Sequence, residues 1–64
     1  MSIGENIKTK RRSLGLTMKE LGEMVGVHLN TIHFWEYNMQ YPSLKNAKKL
    51  HNILGGELVD YIKL

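Results

Sequence analysis

Histidines, a run of cations and a glycine pair are the groups in this 64-residue sequence whose types suit chemistry. Zinc ligands converge from an i, i+4 helical pair or from cysteine hairpins. His28 and His33 are five apart and face different ways on a helix, His51 lies far along the chain, and there is no cysteine. No metal is expected. Gly55-Gly56 precedes a polar helix start but lacks the GxxxxGK[ST] context of a phosphate loop. No two carboxylates share a face and no nucleophile stands at hydrogen-bonding spacing from a base, so no enzyme, cofactor or small-molecule ligand is expected. What remains is charge. Nine Lys and Arg stand against six Asp and Glu, a net +3 with a pI of about 9.4. That balance favours an anionic partner. Lys8, Lys10, Arg11 and Arg12 crowd one stretch, of which Lys8 and Lys10 read as a solvated helix end.

The elements that must position these groups are helical. The length allows one domain, residues 1–64, near the lower limit of unaided folding. Absence of cysteine fits a reducing cytoplasm. No stretch reaches the roughly 20 apolar residues that span a bilayer, and the start does not read as a signal peptide. Ile3, Ile7 and Leu14 form the inward stripe of a first helix, about residues 2–13, which Gly15 stops. Thr17-Met18-Lys19-Glu20 is a capping box. It opens a second helix, about residues 17–25, with Leu21, Met24 and Val25 inward and Gly26 at its end. A third helix occupies about residues 28–37, and Asn38, tolerant of positive φ, closes it. Residues 39–42 are a loop. Ser43 caps a fourth helix with Leu44, Ala47, Leu50 and Leu54 inward, and Gly55-Gly56 breaks it. Residues 57 to about 62 make a short fifth helix. The expected fold is therefore all-α, a compact bundle of five helices.

Helices two and three are short, are joined by about three residues containing Gly26, and bury too little apolar surface to stand alone. They make sense as a pair crossed at a steep angle, the helix-turn-helix arrangement. At 100° per residue, Ile32, Trp35 and Glu36 take the inner side of helix three, with His28 and part of Leu29. Asn30, Phe34 and Tyr37 take the outer side, flanked by Thr31 and His33. That outer face has the dimensions to enter a DNA major groove. Leu29 and Phe34 suit thymine methyl groups, or cover the edges of the core, or form an apolar patch for a protein partner.

The register Ile3-Gly4-Glu5, Ile7, Arg11, Gly15-Leu16-Thr17, Glu20-Leu21, Val25-Gly26-Val27, Thr31-Ile32, Glu36, Pro42-Ser43-Leu44 and Leu54-Gly55 resembles the lambda-repressor/Cro-type helix-turn-helix family over about residues 3–62. The resemblance implies a transcriptional regulator, Cro-like and of phage or mobile-element type, that binds a double-stranded DNA operator. His28, Leu29, Asn30, Thr31, His33 and Phe34 then face bases. The helix-two and helix-four N-termini, with Thr17, Asn38, Gln40, Tyr41, Ser43 and Lys45, hold phosphates. Met18 stands where the family commonly carries a Gln on the DNA backbone. Arg11 and Glu36 occupy positions that bridge helices one and three in the family, and such an Arg can also touch a phosphate. Leu58, Val59, Tyr61, Ile62 and Leu64 are more apolar residues than one terminal helix can bury, which points to a weak homodimer assembling on DNA. The rival reading is a protein-interaction module that binds another regulator.

Overall fold

A computed structural model describes all 64 residues. Four α-helices follow in order, α1 (Ile3–Ser13), α2 (Met18–Val25), α3 (Leu29–Glu36) and α4 (Leu44–Leu54), and a single 3₁₀ turn spans Leu58–Tyr61. Each α-helix start has a side-chain cap for its free amides. Ser2 Oγ accepts from the Glu5 amide at 3.1 Å, and Thr17 Oγ1 accepts from the Glu20 amide at 3.0 Å. Both Glu side chains reach back to the capping amides. His28 caps α3 through Nδ1, which accepts from the Asn30 amide at 3.0 Å, and Ser43 caps α4.

All four α-helices are followed by a residue of positive φ, namely Gly15, Gly26, Asn38 and Gly55, and the two around α3 set the turn geometry. Gly26 sits at φ 89° after α2, where a side chain would be strained. Asn38 sits at φ 57° beyond α3. There the Met39 amide donates to Phe34 O at 2.8 Å and the Asn38 amide to Trp35 O at 3.1 Å, the paired bonds of a Schellman end.

The core is Ile7, Leu21, Val25, Ile32, Trp35, Ala47, Leu50 and Tyr61. It lies where α1, α2, α3 and α4 meet, with the 3₁₀ turn closing one side. Three residues expected inside are exposed instead: Leu14, Met24 and Leu44. Leu14 stands past the last turn of α1, where the helical phase is lost, and Leu16 packs on the core in its place. In α2 the buried arc is shifted toward Gly22, which leaves Met24 off it. A Cβ at Gly22 would meet Val27 O at 2.7 Å, so the chain leaving the turn presses on that side. Leu44 lies about 90° from the centre of the arc holding Ala47, Leu50 and Leu54.

The fifth helix is corrected to the 3₁₀ turn. Asp60 accepts from the Glu57 amide at 3.0 Å and takes Lys10 Nζ at 3.1 Å, while Asp60 O accepts from Asn6 Nδ2 at 3.3 Å. These bonds pin the segment to α1 after one turn. Ile62 is already extended, at φ −109° and ψ 126°.

Candidate nucleic-acid interface

The second helix of the crossed pair presents an open face. Leu29 and Asn30 are exposed at its leading end beside His28, and Thr31, His33 and Phe34 are half-buried. The Asn30 side-chain amide makes no hydrogen bond within the chain, so its donor and its acceptor both face solvent. His28 differs from its sequence reading. It lies outside the core, and its Nδ1 is occupied as the α3 cap, which leaves Nε2 outward.

The residues expected on phosphates separate into two groups. Thr17 and Ser43 each use the hydroxyl oxygen as an acceptor for a helix amide, which leaves the hydroxyl proton and the neighbouring amides for an anion. Gln40, Tyr41 and Lys45 are exposed, and Met18 is half-buried against the core. Arg11 and Asn38 are committed elsewhere. Arg11 Nε donates to Glu36 Oε2 at 2.6 Å, Nη2 to Glu36 Oε1 at 3.1 Å and Nη1 to Leu16 O at 2.8 Å. The residue is buried, and its pKa is raised above the usual arginine range by the bonds to Glu36. A phosphate role for Arg11 is therefore corrected to that of an internal brace between α1 and α3. Asn38 Oδ1 accepts from the Gly4 amide at 3.1 Å, and Nδ2 donates to Ser2 Oγ at 3.1 Å. Its side chain clasps the start of α1 rather than projecting toward a strand of DNA.

The expected dimer residues also divide. Tyr61 is fully buried and its hydroxyl donates to Gly55 O at 2.7 Å, so it belongs to the molecule's own core. Leu58 and Ile62 pack on that core from the side. Only Val59 and Leu64 of the five remain exposed. The 3₁₀ spacing is the reason, since it turns positions i and i+3, Leu58 and Tyr61, to one side.

Two interactions escaped the sequence reading. The Tyr37 ring packs at a tilt against His33, with centroids 4.5 Å apart, and Lys8 Nζ lies 5.2 Å from the centroid of the same ring. The i, i+4 spacing of His33 and Tyr37 was legible in the sequence, but the arrival of Lys8 from α1 was not. Lys49 Nζ donates to Val25 O at 3.1 Å, placing a cation at the negative end of α2.

A family model described as helix-turn-helix matches residues 7–61. The chain belongs to the helix-turn-helix family, of the lambda-repressor/Cro type. An uncharacterized HTH-type transcriptional regulator of Methanothermobacter thermautotrophicus is 41% identical over 56 residues, covering 88% of this chain and 81% of that protein. No solved structure is significantly similar. The matched span takes in α2, α3 and the Gly26 turn between them. No helix is long and apolar enough to cross a membrane.

Proposed function

We propose that this chain is a sequence-specific, double-stranded DNA-binding regulator of transcription, a Cro-like repressor that lays α3 in the major groove of an operator. The observation that carries the reading is the free outer face of α3, above all the unengaged Asn30 amide at its leading end. An Asn side chain can pair bidentately with adenine N6 and N7. His28, Leu29, Thr31 and Phe34 stand around it, the apolar two suited to thymine methyl groups. Thr17, Ser43, Gln40, Tyr41 and Lys45 flank that face and hold phosphates. The whole body acts as one binding domain in a prokaryotic or phage-infected cytoplasm, without catalysis. Two copies on half-sites one helical turn apart would supply the specificity that one short helix lacks.

Selection of bound sequences from a random duplex pool tests the reading. A consensus with twofold symmetry is expected. Asn30→Ala should relax the preference at one base pair and cost about 1–3 kcal/mol on the selected duplex. An unenriched pool would sink the proposal.

Leu29, Tyr37 and Met39 expose apolar surface on and beyond α3, which favours a second reading as a protein-interaction module. Salt separates the two. Phosphate contacts make affinity fall steeply with salt, whereas an apolar interface does not respond in that way.

A further inference from the structure

Lys8, Lys10, Arg11 and Arg12 place four cations on the second half of α1. Two are neutralised within the molecule. Lys10 Nζ lies 3.1 Å from Asp60 Oδ2, and Arg11 is bonded to Glu36. Lys8 makes no ion pair, and its Nζ lies 5.2 Å from the centroid of the Tyr37 ring. The His33 imidazole meets that ring with centroids 4.5 Å apart and planes inclined at 40°. Two helices thus bring an ammonium, an imidazole and a phenol onto one patch. None of the three is hydrogen-bonded to a carboxylate, and Tyr37 is 52% exposed.

We propose that Lys8, His33 and Tyr37 form a phosphate-holding patch for the DNA strand beside the trailing end of α3, an inference that rests on the DNA-binding reading above. A helix that touches bases with its leading residues directs its other end toward the groove wall, where the phosphates lie. The groups waiting there are donors: an ammonium, an imidazole N–H and a phenol O–H. The aromatic ring holds Lys8 in place without cancelling its charge, as a carboxylate would. Contact with the Tyr37 ring also restricts these side chains before DNA arrives, so less rotamer freedom is lost on binding. His33 moves from the base-reading set to the backbone side, and the leading end around Asn30 keeps the bases.

The test is fluorescence anisotropy of a labelled mixed-sequence duplex across a salt series. Lys8→Met keeps the aliphatic stem and removes the charge. Tyr37→Phe keeps the ring and removes the hydroxyl. Lys48→Met removes the same charge from an exposed position on α4. Thermal melting checks that every variant is folded. Lys8→Met should make the slope of log affinity against log salt shallower by about 0.9. Across a fourfold salt range that is roughly a 3.5-fold smaller change in affinity. Tyr37→Phe should weaken binding several-fold with the slope kept, and Lys48→Met should leave the slope close to wild type. A Lys8→Met slope equal to that of wild type, or an equal loss in Lys48→Met, overturns the patch and leaves the DNA reading standing. Failure of the wild type to bind the duplex at any salt overturns both.

Discussion

All three guanidinium nitrogens of Arg11 donate inside the molecule, two to Glu36 and one to Leu16 O. Both side chains are nearly out of contact with water, at 8% and 0% exposure. Removing one member of such a pair leaves an unpaired buried charge, at a cost of about 3–5 kcal/mol. A domain of this length has about 3–10 kcal/mol in total. Glu36→Ala should therefore leave the chain largely unfolded at room temperature by urea titration and circular dichroism. The double change Arg11→Met with Glu36→Leu should restore most of the loss, since a buried pair replaced by apolar groups of similar volume is often neutral. A folded Glu36→Ala variant of near wild-type stability would show the pair to be unimportant. The pairing itself was legible, because the helical wheel turns Glu36 inward and the family register aligns it with Arg11. That Arg11 is thereby lost to phosphate was not legible, because it depends on where Leu16 O comes to rest. Asn38 divides in the same way. Its positive φ follows from residue type, but its bonds to Ser2 and Gly4 join positions more than thirty residues apart.

Between elements, α1 and α3 approach closely at Gly4. A Cβ at Gly4 would stand 2.6 Å from Trp35 O and would also overlap Glu36 O. The Arg11–Glu36 pair and the Asn38 clasp sit on the same seam, so α1 fixes the angle at which α3 is presented. The 3₁₀ turn holds the opposite flank of α1 through Lys10–Asp60. The Asp60 carboxyl titrates below its ordinary range because the Glu57 amide, and then Lys10, bond its ionised form. A carboxyl whose folded pKa is depressed stabilises the fold above its unfolded pKa, near 3.9, and that contribution is lost as pH falls through the folded value. The Leu58–Tyr61 segment should accordingly loosen as pH drops below about 4. The Ile62 methyl resonances would follow this, and in Asp60→Asn they should lose that acid response. An unchanged titration in the variant would assign the response to another group. The starts of α2 and α4 and the ends of α2 and α3 were readable because Thr17, Ser43, Gly26 and Asn38 act locally. The length of the last element was not, since distant bonds to Asn6 and Lys10 end it.

At the scale of the whole molecule, the accessible surface is 3959 Å². A stable interface removes about 1,200 Å², or about 600 Å² from each partner. Val59 and Leu64 alone offer far less apolar area than that. Sedimentation should find a monomer free in solution and two protomers on a twofold operator duplex. Changing Val59 and Leu64 to Ser should reduce the cooperativity of operator occupation without lowering the melting temperature. One protomer per wild-type site, or unaltered cooperativity, would remove the dimer from the proposal. The buried position of Tyr61 has another consequence, in the order of assembly. The first three helices pack within one short run of chain, whereas docking Tyr61 and Asp60 onto α1 closes a loop of about fifty residues, which costs more chain entropy. The terminal turn should therefore join last and leave first, its amides exchanging with solvent through a partial opening that spares α3. The single tryptophan, Trp35, lies in the part that stays closed, so its fluorescence will report global unfolding and miss this earlier event.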